Sequence, residues 1–347
     1  MALKKIWIDL DNLPHVLIFR YLIDKLSKEY DVIVTARDHA FTCELLNRFQ
    51  IPHIKVGRYP GKHVIKKIVG TLWRAFQLFV KMMFKHPSLA VCHGSRSLVI
   101  AAWVLRVPVI TMFDYEYVHG RLFEWFSRAI LIPQAVKAKH PFSENDKYIA
   151  YPGFKEMLYL PFFQPDEDFP ERIGLDRQKI NVILRPPAST AHYHNPLAEQ
   201  LFDEILSILI KKDNIHAILI PRLKDQVEIY IKKEFPNISI LDKPVNGLDL
   251  IYYSDLVIGG GGTMNREAAL MGVPVYSIFQ GERGVLDAEL ERQGRLTFIQ
   301  SHEDIALIRW KKKKLTDNGK PDQTTFEFVL RIITQMADKR NILGYKV

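Results

Sequence analysis

The chain has 347 residues, which at about 100–200 residues per domain is enough for two domains with their own cores. Hydrophobic residues make up 48% and charged residues 25%, a globular composition that excludes a disordered or fibrous protein. Cys43 and Cys92 are too few for a disulfide framework or a multi-cysteine zinc site, so a reducing cytosol is expected. The net charge of +9 predicts attraction to polyanions such as nucleic acid, anionic lipid or nucleotide phosphates.

The N-terminus and the apolar runs predict a protein that is neither exported nor membrane-spanning. The apolar run that leads to the first aspartate has only three residues, 6–8, far fewer than a signal peptide requires. No uncharged apolar run approaches the ~20 residues that span a bilayer. We therefore expect a cytoplasmic protein.

Short β-type runs alternate with longer amphipathic segments along both halves of the chain. Strands are predicted in the first half at 4–8, 31–35, 53–56, 89–92, 108–112 and 129–132. They are predicted in the second half at 180–184, 216–220, 239–241, 256–258 and 273–277. Strands separated by helices imply parallel pairing through right-handed crossovers. The predicted fold is α/β, with two Rossmann-like, doubly wound parallel-sheet domains facing a cleft.

The domain boundary is predicted at a stretch that suits neither a helix nor a central strand. Residues 160–170 contain three prolines and three acids, and proline removes amide donors and restricts its predecessor. We assign an N-terminal domain to 1–160, a linker to 161–179 and a C-terminal domain to 180–321. Residues 322–347 form a C-terminal helix and tail, and the helix could pack on either domain.

The most informative motif is an apolar strand followed by four consecutive glycines, 259–262, and a helix with Thr263 as its predicted N-cap. Glycines let backbone amides approach an anion, and a helix N-terminus adds about +0.5 of positive partial charge. The pattern predicts a phosphate cradle, although a tight turn that merely needs glycine is the alternative. It matches neither a P-loop nor a dinucleotide-binding fingerprint. Glu267, near the start of the helix, could accept hydrogen bonds from a ribose or simply stabilise the helix end.

A polar cluster follows the first predicted strand, at the edge where α/β sheets bind ligands. It contains Asp9, Asp11, Asn12 and His15. A neutral histidine can accept a proton from a hydroxyl, and a neighbouring carboxylate can orient it, so His15 and Asp11 are candidate catalytic residues. The alternative is that Asp11 or Asn12 caps the following helix, which Pro14 would help to start.

Other candidates follow strands of both halves. Asp114 and Glu116 follow one strand of the first half, as catalytic carboxylates or as loop acids with capping roles. Arg185 closes the first strand of the second half and could bind a phosphate. His192 and His194 have a spacing that permits a metal site, but they lack a matching set of carboxylates, so no metal is expected.

Residues 62–86 form a predicted basic helix with six Lys or Arg and no acid. Its apolar positions at helical spacing are predicted to face the core: 65, 68, 69, 72, 76, 79, 80 and 83. Further apolar residues lie beside basic ones, namely Trp73, Leu78, Met82 and Phe84 beside Lys66, Lys67, Arg74 and Lys81. An ordinary core helix with solvated lysines is favoured, ahead of docking on an anionic membrane and of nucleic-acid binding. Residues 311–314 are interpreted as a solvated basic run.

The segment 267–274, Glu-Ala-Ala-Leu-Met-Gly-Val-Pro after a strand and a glycine turn, resembles the donor-nucleotide segment of GT-B-fold proteins. These include the N-acetylglucosaminyltransferase of peptidoglycan synthesis and UDP-N-acetylglucosamine 2-epimerase. The whole chain more closely resembles a family of uncharacterised proteins of about this length that are predicted glycosyltransferases. The stretches that carry this second resemblance are 9–15, 151–159 and 183–188.

The resemblance implies a GT-B-like arrangement and roles for individual residues. The glutamate of the Glu-Ala-Ala helix holds the donor ribose in those relatives, which implies that role for Glu267. The glycine turn holds the diphosphate in those relatives, which implies that role for Gly260, Gly261, Gly262 and Thr263. Arg185 and Val245 complete the predicted donor-binding set. GT-B relatives often place a base in the first loop, which supports His15 and Asp11. The epimerases carry a catalytic glutamate in the turn that corresponds to Asp114 and Glu116.

These observations favour a glycosyltransferase that uses a nucleotide-sugar, with a UDP-sugar preferred, and needs no metal or other cofactor. Its acceptor would be a glycan or a lipid-linked sugar in surface polysaccharide or glycoconjugate synthesis, reached from the inner face of the cell membrane through 62–86. An epimerase-like enzyme is the alternative, although the His-Arg and Glu-Asn motif of the epimerases is absent. A non-enzymatic protein that binds polyanions or a membrane surface is the second alternative, with nucleic acid the less favoured ligand.

Overall fold

The computed structural model describes residues 3–39, 41–59, 61, 63–116, 120–139, 145–187, 195–221, 235–241, 243, 245–313 and 322–338. The chain divides into two compact units. Unit 1 comprises Met1–Pro161 and Asp322–Val347, and unit 2 comprises Phe162–Pro321. Among the described residues, no helix is both long and apolar enough to cross a bilayer.

Unit 1 is built on a seven-stranded parallel sheet with the order β3-β2-β1-β4-β5-β6-β7. Its strands are β1 Lys5–Leu10, β2 Asp31–Asp38, β3 Ile54–Arg58, β4 Leu89–His93, β5 Val109–Met112, β6 Ala129–Pro133 and β7 Tyr148–Tyr151. Its helices in the first part of the chain are α1 Leu13–Leu26, α2 Thr42–Arg48, α3 Val64–Met82, α4 Arg96–Val104, α5 Arg121–Phe126 and α6 Gln134–Lys137. Short 3₁₀ turns follow at Lys155–Leu158 and Leu160–Phe162.

Unit 2 is built on a six-stranded parallel sheet with the order β10-β9-β8-β11-β12-β13. Its strands are β8 Ile180–Arg185, β9 Ile215–Leu219, β10 Ile238–Ile240, β11 Leu256–Gly259, β12 Val275–Ser277 and β13 Leu296–Phe298. Its helices are α7 Phe169–Arg172, α8 Pro196–Leu209, α9 Gly247–Tyr253, α10 Thr263–Leu270 and α11 Val285–Arg292, with a 3₁₀ turn at Glu303–Leu307. The one turn of α7 lies in the predicted linker, with Pro170 in its first turn, where proline is tolerated.

The strand order places a ligand-binding edge in each sheet. The order reverses at the first strand of each sheet, so that β1 lies between β2 and β4, and β8 lies between β9 and β11. In doubly wound sheets, ligands bind beyond the carboxyl ends of the strands at this switch point. The candidate residues after β1, β8 and β11 therefore lie where the topology favours binding.

The C-terminal helix α12, Thr324–Ala337, belongs to unit 1. It contacts α1, β4, β7 and the 3₁₀ turn at Lys155–Leu158. The Thr325 hydroxyl donates a hydrogen bond of 2.7 Å to the carbonyl of Pro152, just ahead of that turn. The helix therefore supports the segment that carries Lys155.

The orientation of α3 contradicts the predicted core stripe. Large apolar residues at the predicted core positions are exposed, namely Ile65, Ile68, Val69, Leu72, Phe76 and Val80. The buried side of the helix carries Arg74, Ala75, Leu78 and Met82 instead. Arg74, which was grouped with the outward basic residues, is 1% exposed because it pairs with a buried carboxylate, and this pairing selects which side packs inward.

The start of α10 also differs from the prediction. Gly262, at φ +101°, occupies the cap position, and Thr263 is the first helical residue, so the assignment of Thr263 as N-cap is wrong. Gly262 already supplies the non-helical backbone that a cap requires. Asn12 does cap α1, because its side chain accepts a hydrogen bond of 2.9 Å from the Leu13 amide.

Candidate functional site

A buried ion pair lies under the end of β1 and positions the first loop. Arg74 donates to both oxygens of the Asp9 carboxylate, at 2.8 Å from Nη1 to Oδ2 and 2.7 Å from Nη2 to Oδ1. The hydroxyls of Ser95 and Thr35 each donate to the same carboxylate at 2.6 Å. Burial alone would raise the pKa of Asp9, but the Arg74 charge and these hydrogen bonds hold it below its ordinary value.

Asp11 is the next carboxylate along the chain, and its environment is different. Its Oδ1 lies 2.8 Å from Arg37 Nε and 3.5 Å from Arg74 Nη1. Burial and the charge of Asp9 raise the pKa of Asp11 above its ordinary value, although the two arginines act in the opposite direction. A carboxylate with a raised pKa accepts a proton more readily than an ordinary aspartate.

His15 lies in the first turn of α1 and is partly buried. Burial, together with the charges of His93 and Lys155, lowers the pKa of His15 well below its usual range, so the ring is neutral at pH 7. Its Nδ1 accepts a hydrogen bond of 3.3 Å from the backbone amide of Asp11. The single proton of the neutral ring therefore resides on Nε2, and His15 acts as a hydrogen-bond donor in this arrangement.

The ends of β4 and β5 add a second group of polar side chains. His93, the last residue of β4, has its ring centroid 4.9 Å from that of His15. Its Nε2 lies 3.4 Å from Oδ1 of Asp114, whose other oxygen forms an ion pair with Lys155. The polar side chains therefore continue from the end of β1 across the ends of β4 and β5.

Several of these side chains line one cavity of about 360 Å³ within unit 1. It brings together three of the four predicted catalytic residues, Asp11, His15 and Asp114. The fourth, Glu116, is 8% exposed and is not part of the wall. The wall also contains four basic or potentially basic side chains that were not singled out from the sequence: Arg37, His39, His93 and Arg96. The mixture of cationic groups and carboxylates suits a polar ligand with an anionic part.

The glycine turn of unit 2 is shaped by backbone geometry. Gly261 and Gly262 have φ values of +84° and +101°, which other residues rarely adopt. A Cβ on Gly260 would lie 2.9 Å from the Cα of Pro187, so the two backbones approach too closely for a side chain. The Gly260 amide donates a hydrogen bond of 3.2 Å to the carbonyl of Arg185, which is paired in register with Gly259. The structure therefore places Arg185 directly beside the glycine turn.

The helix that follows, α10, has an N-terminal end that its own side chains do not neutralise. Its first turn contains no acidic residue. Arg266 forms an ion pair with Asp287, at 2.6 Å from Nε to Oδ1. The Asn265 side chain donates a hydrogen bond of 3.3 Å to the Gly259 carbonyl. Glu267 follows, 8% exposed. An anion at this helix N-terminus would be stabilised by the aligned peptide dipoles of the helix.

Comparisons with known proteins identify the family. The family described as "Protein of unknown function (DUF354)" matches residues 4–338. The chain belongs to the DUF354 family. An uncharacterised protein of Methanocaldococcus jannaschii is 25% identical over 318 residues, which cover 86% of this chain and 89% of the relative.

The DUF354 chain also resembles solved structures. UDP-GlcNAc 2-epimerase from Methanocaldococcus jannaschii matches with a TM-score of 0.71 and 15% identity over 95% of this chain and 99% of that one. The S. aureus protein MnaA, in a structure with UDP, matches with a TM-score of 0.74 and 16% identity over 99% of both chains. The spinosyn forosaminyltransferase SpnP matches with a TM-score of 0.62 and 12% identity over 98% of this chain and 96% of that one. The fold, two parallel-sheet Rossmann-like units, is therefore similar to that of GT-B epimerases and glycosyltransferases.

The remaining predicted residues of the DUF354 chain are Val245 and the two histidines that follow β8. Val245 is partly buried and lies two residues ahead of α9, whose Gly247 faces Met264 of α10. His192 and His194 lie outside the described residues, as do Lys62, Lys314 and the loop 117–119. In the described parts of the chain, no three His, Cys, Asp or Glu side chains are arranged to hold a metal ion.

Proposed function

We propose that the protein is a glycosyltransferase that transfers a sugar from a nucleoside-diphosphate donor, with a UDP-sugar preferred, to a glycan or lipid-linked acceptor without a metal ion. The observation that carries this proposal is the glycine turn at the carboxyl end of β11, with Arg185 beside it and α10 behind it. One of the similar structures is a UDP-GlcNAc 2-epimerase and another contains UDP, which supports a nucleotide-sugar as the ligand.

The donor nucleotide binds unit 2 in this proposal. The diphosphate lies against the turn formed by Gly260, Gly261, Gly262 and Thr263, whose Gly260 amide donates to the Arg185 carbonyl, and against the N-terminus of α10. Arg185 offsets the negative charge that develops on the leaving nucleoside diphosphate. Glu267 accepts hydrogen bonds from the ribose hydroxyls.

The acceptor binds the cavity of unit 1, and the structure changes the roles expected for its residues. A general base needs a free lone pair, but the Nδ1 lone pair of His15 is engaged by the Asp11 amide. We therefore assign the base to Asp11, whose pKa is raised, and a hydrogen-bond donor role to Nε2 of His15. The acceptor hydroxyl loses its proton to Asp11 as its oxygen bonds to the sugar, and the bond from the sugar to the diphosphate breaks.

An epimerase-like reaction on the free donor is the second candidate, because UDP-GlcNAc 2-epimerases share the fold. Asp114 or Glu116 would act in that reaction. Asp114 forms an ion pair with Lys155, as Asp11 does with Arg37, and Glu116 is 8% exposed and is not part of the cavity wall. We prefer transfer because the His-Arg and Glu-Asn motif of the epimerases is absent from the sequence.

The test separates the two reactions. Purified protein is incubated with radiolabelled UDP-sugars alone and with a polyprenyl-diphosphate sugar in vesicles. Transfer predicts UDP release and lipid-soluble label only when acceptor is present. Asp11→Asn should lower that rate by about 10²–10⁴-fold while donor binding is retained.

The exposed Asp24→Asn, on α1, is the matched control and should be fully active. A C2 epimer formed from the donor alone would favour the second candidate. Failure of all nucleotides to bind would contradict both candidates.

A further inference from the structure

The outer side of α3 is a large exposed apolar surface, here named the α3 face. It consists of large apolar side chains that are each 45–81% exposed: Val64, Ile65, Ile68, Val69, Leu72, Trp73, Phe76, Val80 and Phe84. Those from Val64 to Val80 recur at intervals of three and four residues, so they lie along one side of the helix, and Phe84 follows just after its end. Single exposed apolar residues are ordinary, but a contiguous group of this size marks an interaction surface.

Neighbouring helices extend the apolar surface. The helix α3 packs against α4, which in turn packs against α5. Trp103 and Val104 at the end of α4, and Trp125 on α5, are all more than half exposed. The Trp103 ring also lies 5.2 Å from that of Phe126, which holds it in place.

The outward orientation of the α3 face is fixed by the opposite side of the helix. Arg74 points inward and binds both oxygens of Asp9, and its Nε donates to the carbonyl of Val56 at 3.0 Å. Rolling α3 to bury its outer side would withdraw this guanidinium and leave a buried carboxylate without its cation. Because breaking a buried ion pair is costly, the helix cannot bury the α3 face by rotation.

The segment of the chain that carries the α3 face contains basic residues and no acidic residue. No Asp or Glu occurs in the sequence between Glu44 and Asp114, an interval that includes β3, α3, β4, α4 and β5. Exposed lysines flank the apolar side chains at both ends of the helix: Lys66, Lys67, Lys81 and Lys85. The occupant of this surface is therefore expected to be both apolar and anionic.

We infer that the α3 face docks the protein on an anionic lipid bilayer. Aliphatic and tryptophan side chains enter the boundary between headgroups and acyl chains, and the flanking lysines bind anionic headgroups. A second copy of this chain is a poorer occupant, because a two-fold interface would oppose the acid-free basic surfaces. Nucleic acid would be held by the lysines but would leave the valine, isoleucine and leucine side chains without a role.

Docking through α3 would also bring the cavity of unit 1 close to the membrane. The cavity wall includes Tyr59, whose ring stacks on that of His39 with centroids 4.5 Å apart. The first helical residue of α3, Val64, follows Tyr59 by five positions in the chain. The inference itself goes beyond the proposed reaction and does not depend on it, since lipid binding requires neither donor nor transfer.

The test is flotation of the full chain with vesicles, without any nucleotide. Wild-type protein should bind vesicles of phosphatidylcholine mixed with phosphatidylglycerol and be released by high salt, and it should bind phosphatidylcholine alone much more weakly. Lys66→Glu/Lys67→Glu should weaken binding by at least about 25-fold, given the contribution of each lysine near an anionic surface. Lys211→Glu/Lys212→Glu in unit 2 is the matched charge control and should bind like wild type.

The apolar contribution is tested by Trp73→Ser/Phe76→Ser, which should reduce vesicle binding by about 100-fold through the lost apolar burial. Leu307→Ser, an exposed apolar residue of unit 2, is its control. Because the replaced side chains are exposed, the melting temperature should be unchanged, which separates lost docking from lost folding.

Three results would overturn the inference. One is absence of binding to anionic vesicles. Another is equal binding by wild type and Trp73→Ser/Phe76→Ser. The third is a change in the mass of the free protein in Trp73→Ser/Phe76→Ser by analytical ultracentrifugation, which would assign the α3 face to self-association.

Discussion

The carboxyl ends of the central strands are built differently in the two units. In unit 1, the edge beyond β1 is held by charged side chains, with Asp9 paired to Arg74 and Asp11 placed between Arg74 and Arg37. In unit 2, the edge beyond β11 is held by backbone geometry, with glycines at positive φ and an amide hydrogen bond to the Arg185 carbonyl. We therefore expect unit 1 to be destabilised by removing one charged side chain or by changing the pH. We expect unit 2 to be destabilised by replacing a glycine of the turn with a residue that has a side chain.

The largest effect is expected from removing the cation of unit 1. Arg74→Met would leave Asp9 buried without its partner and should lower the free energy of unfolding by about 3–5 kcal/mol. Denaturant unfolding measures this change, with the exposed Arg48→Met as control, which should differ from wild type by less than about 0.5 kcal/mol. Arg74→Met with wild-type stability would show that the ion pair does not hold the edge of unit 1.

A smaller effect is expected from adding one methyl group to the turn of unit 2. Gly262→Ala places alanine at φ +101° and should cost about 1–2 kcal/mol of unfolding free energy. Gly174→Ala is a matched control, because Gly174 also has a positive φ, of +67°, and also has open space around its Cβ position. Both variants should lose stability, but calorimetric titration should show lost nucleotide binding only for Gly262→Ala.

Equal nucleotide affinity in the two glycine variants would show that the glycine turn does not bind the nucleotide. In that case the glycines would be required only for the tight turn between β11 and α10.

The pH dependence of stability should differ between the units as well. Because the pKa of His15 is lowered in the folded state, the unfolded chain takes up a proton that the folded chain does not as pH falls. Stability is therefore complete above the unfolded value of about 6.5 and decreases as pH falls below it, by up to about 1.4 kcal/mol for each unit of the pKa shift. His15→Asn should flatten the slope of unfolding free energy between pH 6.5 and 5.

The exposed His86→Asn provides the control and should retain the wild-type slope. An unchanged slope in His15→Asn would mean that the buried histidine is not the group that titrates.

The smallest effect is expected at an exposed ion pair of unit 1. Lys4 Nζ lies 3.0 Å from Asp338 Oδ1, at the end of α12. Lys4→Ala should change the unfolding free energy by less than about 1 kcal/mol, because water and salt screen exposed pairs. A larger loss in thermal unfolding would show that this contact holds α12 against the rest of unit 1.

The sequence predicted the central strands well because strands buried on both faces form uninterrupted apolar runs. The fold class, two Rossmann-like parallel-sheet units, is confirmed. The strands β7 and β13 were missed, whereas β3 and β10, at the opposite edges of the same sheets, were predicted.

The orientation of α3 could not be read from its periodicity. Both of its sides carry apolar residues, so the pattern alone allows either side to pack inward. The choice depends on Arg74 meeting Asp9, a contact between residues 65 positions apart that no local pattern encodes. The same limit applies to Arg37 and His93, which are single polar residues at strand ends and reach the cavity only through the sheet topology.

The most direct test of the central claim, a nucleoside-diphosphate site in unit 2, is thermal unfolding with a panel of nucleoside diphosphates. A ligand at ~100 times its dissociation constant stabilises the folded state by ~2.7 kcal/mol, which is a shift of several degrees. One diphosphate, expected to be UDP, should raise the melting temperature of wild type and of Gly174→Ala but not of Glu267→Gln. No shift with any nucleotide, or an equal shift in Glu267→Gln, would contradict the account.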